Sequence, residues 1–511
     1  MPTSLTYTAT IIGVDAHIIE VEADVSIGLG AFNIVGLPDG MIKESRERIV
    51  AAMNNSCCEF PIRRVTINLA PADIRKMGTG FDLPIALSIL EASGQIPGGS
   101  LKPYLIVGEL SLEGKIRAVD GMLAIAIAAQ KAGIKTLIVP RENGASASII
   151  EGLQVLTASH IREVYEHFSE NAFLSESVDV PLTDPFDFQS HRLDFSDVRG
   201  QETAKRALEI AAAGNHNLLF TGPPGSGKSM LSKRLPTILP PLSFEEALEV
   251  TKIHSIAGTI PKNHQIVENR PFRHPHHSTS GAGLIGGGSH PRPGEVSLAH
   301  HGVLFLDELP EFPRTILDLL RQPLEDKEVV ISRAQTTLSF PSDFVLLAAM
   351  NPCPCGYLGS QAKVCNCSGN SILKYRSRIS GPLMDRIDMQ IDMPSLSYDE
   401  INFSPQGEKS SIIRDRVVNA RERQLKRFNE QASRCNANMS HTEVEAFCSL
   451  DAACHALLSD VLQTFKLSGR AHDSILKVAR TIADLEQCDR LQTWHLSEAV
   501  NYRTLDRELI F

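Results

Sequence analysis

The spacing of hydrophobic residues changes along the chain, and each spacing predicts a different kind of structure. In the first part, apolar residues at every second position predict strands, and apolar residues three and four apart predict helices. The strands are expected at 8–12, 18–21, 64–69 and 136–139, the helices at 41–53, 82–92 and 122–132, and a hairpin turn at 113–114. The region up to residue 175 is therefore predicted to be a mixed α/β domain.

After residue 175 the pattern differs. Residues 176–191 are rich in Ser, Asp and Pro without any period, which predicts a linker. Beyond it, continuous apolar runs predict buried strands, and helical spacing dominates toward the end. The runs are 218–221, 303–306 and 344–350, and the helical segments are 474–486 and 494–501. We therefore expect an α/β core at 192–395 and a helical lid domain at 396–511.

Length and composition are those of an ordinary globular protein. The chain has 511 residues, 42% hydrophobic and 22% charged, so roughly two to four domains are expected. Its formal net charge of -10 argues against nucleic-acid binding over the whole surface but allows local basic surfaces. No signal peptide and no apolar stretch long enough for a bilayer are apparent, so we expect no membrane contact. Ten cysteines, scattered except for one group, fit a reducing cytoplasm.

The clearest chemical motif follows the first of the buried strands. It consists of Gly222, Pro223, Pro224, Gly225, Ser226, Gly227, Lys228 and Ser229, and it satisfies the pattern G-x-x-x-x-G-K-[ST]. The glycines let backbone N–H groups point at phosphate oxygens. Lys228 is suited to the β- and γ-phosphates, and the Ser229 hydroxyl to Mg²⁺. The strand–loop–helix context favours a nucleotide site over an ordinary glycine-rich turn.

A second motif ends the buried strand 303–306. Asp307 is suited to hold Mg²⁺ through water, and Glu308 to polarise the attacking water as a general base. An acidic strand end without a function is the alternative, and the upstream phosphate loop argues against it. The two motifs together predict ATP and Mg²⁺ as cofactors and ATP hydrolysis as the reaction.

Three further positions resemble the nucleotide-sensing residues of AAA+ ATPases. Asn351 follows the strand 344–350, where AAA+ proteins carry the sensor 1 residue that contacts the γ-phosphate. Arg386, in ISGPLMDRID, matches the arginine-finger segment of the magnesium-chelatase and MCM branches. Arg470, in LSGRA, matches the sensor 2 residue of the lid. The resemblance implies that these side chains contact the γ-phosphate during hydrolysis.

The assignment of the arginine finger has two competitors. Arg376 and Arg378 lie close enough in the sequence to take the role of Arg386, and a structural salt bridge is the alternative for each of the three. An arginine finger acts on the nucleotide of a neighbouring subunit. The resemblance therefore implies a ring of identical chains.

Two insertions in the core are locally basic. The first, 252–301, contains Arg273 and Arg292 and resembles the helix-2 insert of the same ATPase branch; its histidines lack metal-ligand spacing. The second is a predicted hairpin that begins at Lys327 and carries Arg333 at its tip. In the ring ATPases that it resembles, this hairpin points into the pore and grips nucleic acid or protein. These four cations are candidate DNA contacts, and an inert surface hairpin is the alternative.

Four of the cysteines form a group directly after the sensor 1 position. Cys353 and Cys355 make one C-x-C pair, and Cys365 and Cys367 make a second. Two such pairs separated by a loop can converge on Zn²⁺ as thiolate ligands. Reduced structural thiols are the alternative. Four cysteine ligands leave no open position for water, so we expect zinc to act as a structural clip.

The first domain resembles the Lon-type (S5-like) proteolytic fold. The resemblance is carried by KMGTGFDLPIAL and GELSLEGKIRAVDGMLAIAIAAQKAGIKTLIVP. Lon-type proteases use a Ser nucleophile and a Lys that takes up its proton. Overlaying the motifs puts Asp82 at the Ser position and Leu123 at the Lys position. We therefore predict a scaffold domain without proteolytic activity.

Taken together, these segments resemble the YifB/ComM family of magnesium-chelatase-like AAA+ ATPases over nearly the whole chain. The resemblance implies a hexameric ring that hydrolyses ATP to translocate single-stranded or branched DNA. Its function would be that of a helicase promoting branch migration of recombination intermediates in natural transformation. The alternative is a chelatase-like ATPase that remodels a protein partner. A regulatory protease is disfavoured, because Asp82 and Leu123 occupy its catalytic positions.

Overall fold

The computed structural model describes residues 4–56, 58–177, 193–260, 266–288, 292–332, 337–360, 363–396, 398–403, 405–429, 434–465 and 467–503. The chain divides into two compact units. The first comprises Met1–Phe186 and Ala247–Val267, and the second comprises Asp187–Glu246 and Glu268–Phe511. Strands and helices are numbered in chain order.

The first unit is built on a large β-sheet and a separate small hairpin. Their strands are β1 (Ser4–Ile12), β2 (Asp15–Ser26), β3 (Ala31–Val35), β4 (Arg64–Ala70), β5 (Tyr104–Ile106), β6 (Glu109–Leu110), β7 (Ile116–Arg117), β8 (Thr136–Pro140), β9 (Gln154–Ala158) and β10 (Ser175–Glu176). The sheet has eight strands in the order β10-β9-β8-β5-β1-β2-β4-β3. β2 pairs antiparallel with β1 and β4, whereas β5, β8 and β9 are parallel. The hairpin of β6 and β7 encloses the turn predicted at 113–114.

Helices cover both faces of this sheet. They are α1 (Gly40–Asn55), α2 (Asp82–Ala92), α3 (Met122–Lys131), α4 (Gly144–Ala147) and α5 (Ile161–Phe168). Along β2, Ile19 and Val21 enter the apolar core that contains α1 and α2, while Ile18 packs against a second core that contains α3. This division follows from the geometry of a strand, whose successive side chains point to opposite faces.

A segment from later in the chain completes the first unit. α9 (Phe244–Ala257) begins in the second unit, and most of it belongs to the first. Lys252 of this helix forms an ion pair with Asp15. The hydroxyl of Ser255 accepts a hydrogen bond of 3.2 Å from the backbone N–H of Gly121. The boundaries expected from the sequence do not include this excursion, because its contacts join residues that are distant in the sequence.

The second unit contains a parallel sheet and two short hairpins. Their strands are β11 (Leu218–Thr221), β12 (Phe272–Arg273), β13 (Gly286–Gly287), β14 (Arg292–Pro293), β15 (Val303–Leu306), β16 (Glu328–Ser332), β17 (Thr337–Pro341), β18 (Val345–Met350) and β19 (Met389–Asp392). The sheet has five parallel strands in the order β12-β15-β18-β11-β19. Every residue of β11, β15 and β18 is buried, as expected of a parallel sheet that is covered on both faces.

The two hairpins lie where the insertions were predicted. β16 and β17 pair antiparallel from Glu328 opposite Pro341 to Ser332 opposite Thr337. The tip of this hairpin, including Arg333, lies outside the described residues. β13 and β14 form the second hairpin.

The remaining helices surround the parallel sheet and make up the end of the chain. They are α6 (Glu202–Gly214), α7 (Lys228–Ser232), α8 (Leu235–Ile238), α10 (Gly281–Ile285), α11 (Glu295–Leu298), α12 (Arg314–Leu319), α13 (Arg321–Asp326), α14 (Gly369–Arg376), α15 (Gly381–Met384), α16 (Tyr398–Phe403), α17 (Ser410–Arg427), α18 (His441–Phe447), α19 (Ala452–Phe465), α20 (Gly469–Leu485) and α21 (Thr493–Asn501). α17 and α20 pack on α6 and share one apolar core with the sheet. The chain is thus a mixed α/β protein with a helical C-terminal region. Across its described part, no helix has both the length and the apolar character that a membrane crossing requires.

Candidate nucleotide-binding site

Three neighbouring strands of the parallel sheet end at motifs singled out from the sequence. The phosphate loop follows β11, Asp307 and Glu308 follow β15, and Asn351 follows β18. Because β15, β18 and β11 are adjacent and parallel, their carboxyl ends meet at one edge of the sheet. We call this edge the carboxyl edge and the opposite one the amino edge. The structure therefore brings the predicted phosphate, magnesium and sensor 1 residues together at the carboxyl edge.

The phosphate loop makes the turns that its glycines permit. Gly225 and Gly227 have φ values of 81° and 92°, in the left-handed region that favours glycine. Gly222 is required for another reason, since a Cβ atom there would lie 2.3 Å from the carbonyl oxygen of Met393. Helix α7 then begins directly at Lys228.

Lys228 is held in the loop by neutral partners. Its Nζ donates hydrogen bonds to the carbonyl oxygens of Gly222 (2.7 Å) and Pro223 (2.9 Å) and lies 3.4 Å from Oδ1 of Asn351. Burial lowers the pKa of Lys228, and the nearby charge of Asp307 opposes that shift. An ammonium group bound by carbonyl dipoles can exchange them for phosphate oxygens, which form stronger, charge-assisted hydrogen bonds.

The acidic strand end lies beside the loop. The Ser229 hydroxyl donates a hydrogen bond of 2.6 Å to Oδ2 of Asp307, so the two oxygens expected to serve Mg²⁺ already meet. Glu308 is exposed and has a φ of 52°, an uncommon value for a residue other than glycine. Nδ1 of His277 lies 3.7 Å from Oε2 of Glu308. The carboxylate of Glu308 is thus open to solvent, with one imidazole within reach.

Arg386 lies at the amino edge of the same sheet. Its carbonyl oxygen accepts a hydrogen bond of 3.0 Å from Nδ2 of Asn217, the residue that precedes β11. From Asn217 to Gly222, five residues of extended chain span roughly 16 Å. The guanidinium of Arg386 binds Glu325 and the carbonyl oxygen of Pro382. Arg386 and the phosphate loop of its own chain therefore lie at opposite edges of the sheet.

Arg470 lies at the amino edge as well. It stands in the first turn of α20, and the hydroxyl of Ser474 in the same helix donates a hydrogen bond to Asp388, the residue before β19. One terminal nitrogen of Arg470 lies 2.9 Å from Oε1 of Glu325. Arg386 binds the other oxygen, Oε2, of that carboxylate. Two arginines that the sequence singled out separately thus share one glutamate.

Arg376 and Arg378 lie at the carboxyl edge. Nε of Arg376 donates to the carbonyl oxygen of Pro352 (3.3 Å), directly after the sensor 1 position. Arg378 forms an ion pair of 3.0 Å with Glu311, just beyond the acidic strand end. The tertiary structure therefore separates these two competitors from Arg386, although all three are close in the sequence.

The four cysteines converge on one point. Sγ of Cys353 lies 3.4 Å from that of Cys355 and 3.6 Å from that of Cys365, and all four Sγ atoms, including that of Cys367, lie within 4.8 Å of one another. Four sulfur atoms at ~2.3 Å from a tetrahedral zinc ion are about 3.8 Å apart. The donor set and its spacing therefore fit Zn²⁺.

The cysteine group packs on the phosphate loop. Gly356, which follows Cys355, has a φ of 85°, and a Cβ atom there would lie 2.7 Å from Cδ of Pro224. Pro224 belongs to the phosphate loop. A displacement of the cysteine loop toward this contact would therefore move the phosphate loop.

The candidate DNA contacts differ in their surroundings. Lys327 forms an ion pair of 3.2 Å with Asp343. Arg273 binds both carboxylate oxygens of Glu295, at 2.6 and 2.8 Å. Arg292 is exposed on β14. Of the three candidates within the described ranges, two are thus neutralised by a carboxylate of their own chain.

In the first unit, Asp82 and Leu123 are built into the core. Arg48 donates to both carboxylate oxygens of Asp82, at 2.9 and 3.1 Å, and the backbone N–H of Leu110 donates to one of them at 3.2 Å. Burial raises the pKa of Asp82 to about 6, against the opposing hydrogen bond from Arg48. Leu123 is buried in α3. The two side chains supply neither a hydroxyl nucleophile nor a lysine.

Sequence reasoning did not single out His277, Glu325 or Arg48. Each belongs to its site through a contact with a residue far away in the sequence. His277 belongs to a cluster of histidines that is conspicuous in the sequence, but nothing in the sequence indicates that it lies near Glu308. Glu325 and Arg48 are ordinary charged residues on helices, and only the fold selects them.

Models of known families match most of the chain. Residues 194–401 match the family described as magnesium chelatase, subunit ChlI; residues 21–143 match subunit ChlI of Mg-chelatase; and residues 407–503 match the C-terminal part of magnesium chelatase subunit ChlI. Together with the parallel sheet and its strand-end motifs, these matches define the class as AAA+ ATPases of the magnesium-chelatase type.

Individual relatives narrow the class further. The chain is 43% identical over 516 residues to the uncharacterized protein YifB of Salmonella typhimurium, covering 100% of this chain and 99% of that protein. It is 41% identical over 512 residues to the competence protein ComM of Haemophilus influenzae, covering 100% and 99%. A match to Lon protease of Bacillus thuringiensis, 28% identical over 179 residues, covers 33% of this chain and 22% of that protein. The chain belongs to the YifB/ComM family of magnesium-chelatase-like AAA+ proteins, which confirms the resemblance, and this membership indicates ATPase activity with ATP and Mg²⁺.

Proposed function

We propose that the protein is a hexameric, ATP-driven DNA translocase and helicase that promotes branch migration of recombination intermediates in natural transformation. The observation that carries the proposal is the position of Arg386 at the sheet edge opposite the phosphate loop. A nucleotide at Gly222–Ser229 therefore lacks this arginine in a single chain. A neighbouring copy completes the site, and copies joined in this head-to-tail way close into a ring.

Within the completed site, each residue has a distinct role. Lys228 exchanges its carbonyl partners for the β- and γ-phosphates, and Asn351 orients the attacking water. Glu308 accepts the proton of that water as a general base. Ser229 and Asp307 hold Mg²⁺, which neutralises charge on the phosphates when it is bound. The arginines of the neighbouring copy stabilise the charge that develops in the transition state.

Two basic hairpins support DNA as the substrate. Arg333 lies in the sequence between β16 and β17, outside the described residues, and Arg292 is exposed on the hairpin of β13 and β14. Phosphate contacts of this kind supply most of the affinity for nucleic acid. Lys327 and Arg273 form ion pairs within the chain, and we assign them to anchoring the two insertions to the core. The relative named competence protein ComM adds support for a role in natural transformation.

We also propose that Cys353, Cys355, Cys365 and Cys367 hold Zn²⁺. Four thiolates close the coordination shell, so the ion would stiffen the loop beside Pro224 and take no part in hydrolysis. Metal analysis of the purified protein is expected to give one zinc per chain, and the Cys355→Ser variant is expected to lose it. We also propose a cytoplasmic location, which the scattered cysteines of the sequence favour.

The first unit is proposed to be a Lon-like scaffold without proteolytic activity. In this scheme the Lon-like domain comprises residues 1–175 of the first unit, followed by a linker at 176–191, a core at 192–395 and a lid at 396–511; linker residues 178–191 lie outside the described residues. The match to Lon protease supports the fold, and the ion pair between Arg48 and Asp82 supports the loss of its chemistry.

A four-way DNA junction with mobile arms tests the proposal. We expect the wild-type protein to move the branch point with ATP, and Glu308→Gln to bind the junction without moving it. We expect Arg333→Ala to lower the stimulation of ATP turnover by DNA about tenfold, because the contact between the Arg333 guanidinium and the DNA strand is lost. A wild-type protein that neither binds nor moves DNA at low salt would refute a DNA motor.

The second candidate is a chelatase-like ATPase that remodels a protein partner. It is favoured by the three family models, all of which describe a magnesium chelatase subunit. Such a protein would hydrolyse ATP faster with its partner and respond to no DNA. The junction assay therefore separates the two candidates.

A further inference from the structure

Glu325 joins the two arginines that are proposed to act at the nucleotide. It stands near the end of α13, and its carboxylate binds Arg386 through Oε2 and Arg470 through Oε1, the latter at 2.9 Å. Arg386 comes from the segment before β19, and Arg470 from the first turn of α20. One side chain on a third element thus fixes the spacing between the two guanidinium groups.

The exposure of Glu325 and Arg470 argues against a role of their ion pair in stability alone. About half of the surface of Glu325 (51%) and of Arg470 (49%) is exposed, while Arg386 is 15% exposed. An ion pair exposed on both sides, such as that of Glu325 with Arg470, contributes little to the free energy of folding. Hydrogen bonds from Arg386, followed by the charge of both arginines, lower the pKa of Glu325, so the carboxylate is ionised at neutral pH.

One hydrogen-bond donor of the Arg386 guanidinium is unused. Its Nε is buried and has no hydrogen-bond partner among the described residues. A buried donor without a partner is unfavourable. It would gain a partner if a phosphate oxygen entered beside the carboxylate of Glu325.

We propose that Glu325 is a positioning residue that holds Arg386 and Arg470 side by side, so that both engage the nucleotide phosphates of the neighbouring subunit together. Without the negative charge of Glu325, the two guanidinium groups repel each other and move apart. Arginine–carboxylate pairing fixes direction as well as distance. This inference rests on the proposed ring, because the arginines act on a neighbour only there.

The inference can be tested by mixing two variants that are expected to complement each other across the subunit contact. Glu325→Gln keeps its own phosphate loop and acidic strand end but presents a disordered arginine pair. Glu308→Gln cannot hydrolyse ATP itself but presents an intact pair. We expect Glu325→Gln alone to lower ATP turnover at least about tenfold with unchanged affinity for nucleotide. In a 1:1 mixture with Glu308→Gln, about one quarter of the subunit contacts join the intact phosphate-loop side of a Glu325→Gln chain to the intact arginines of a Glu308→Gln chain. Turnover of the mixture should therefore rise to about one quarter of the wild-type rate.

A matched control separates positioning from loss of any exposed ion pair. Glu408 binds Arg416 with similar exposure (41% and 40%), outside the proposed site. We expect Glu408→Gln to leave turnover unchanged. Wild-type turnover in Glu325→Gln would overturn the inference.

A parallel mixture distinguishes the inference from the proposed function. Arg386→Ala mixed with Glu308→Gln is expected to regain turnover in the same way. If Arg386→Ala is repaired and Glu325→Gln is not, Glu325 acts within its own subunit and the inference fails alone. If neither variant is repaired, the proposed ring fails and the inference with it.

Discussion

Asp82 in the first unit and Lys228 in the second are both buried charged residues at the start of a helix, yet their partners differ in kind. Asp82 is bound by the opposite charge of Arg48 through two hydrogen bonds. Lys228 is held by the carbonyl oxygens of its own loop. A charge that is neutralised inside the chain serves the fold, whereas a charge with neutral partners is available to a ligand.

The same contrast separates the cations of the second unit. Arg273 and Lys327 each have a carboxylate partner, Glu295 and Asp343. Arg470 and Arg386 share a single carboxylate between two positive charges. The second pair therefore retains net positive charge for an incoming phosphate. Partner chemistry thus distinguishes structural from functional charges better than burial does.

The largest expected effect is that of Lys228→Met. Removing the ammonium group should lower ATP turnover ~10³-fold, because it eliminates charge stabilisation at the phosphates. The melting temperature should change little, since the lost partners are neutral and the methionine fills the same space. Turnover and thermal unfolding measured on the same sample check both parts. Turnover of Lys228→Met within tenfold of the wild type would contradict the assignment of Lys228 to the nucleotide.

The opposite pattern is expected for Asp82→Ala. It removes the carboxylate partner of Arg48, whose side chain is 25% exposed, and should lower the free energy of unfolding by about 2 kcal/mol through the lost charge-assisted hydrogen bonds. ATP turnover at a temperature where the protein stays folded should not change. Denaturant unfolding measures the loss, and the double variant Asp82→Leu with Arg48→Met should recover most of it. Peptidase activity in the wild type that disappears in Asp82→Ala would show that the carboxylate is catalytic after all.

A smaller effect is expected at the contact between the cysteine loop and the phosphate loop. A methyl group in Gly356→Ala meets Pro224, so the phosphate loop must shift, and ATP affinity should fall about tenfold. Gly359→Ala is the matched control, because Gly359 also has a left-handed φ (75°) but a Cβ atom there meets nothing within 4 Å. Both variants share the backbone strain of about 1 kcal/mol. Equal nucleotide affinity in the two variants would contradict a link between the loops.

Local features of the fold could be predicted from the sequence. The hairpin of β16 and β17 lies where the pattern puts it, and α20 covers nearly all of the helical segment predicted at 474–486, beginning five residues earlier behind the cap of Ser468. Short-range spacing and capping chemistry fix such elements. The excursion of Ala247–Val267 into the first unit could not be predicted, because long-range packing decides it.

The sequence by itself determined which chemical groups are present for each role. The phosphate loop, the acidic strand end, the cysteine pairs, and the replacement of Ser and Lys at positions 82 and 123 are local facts. Only the tertiary structure decided which of these groups meet. Between β18 and β19 the chain must return from the carboxyl edge to the amino edge of a parallel sheet. Arg376 and Arg378 precede the return to the amino edge and Arg386 follows it, so neighbours in the sequence lie at opposite edges.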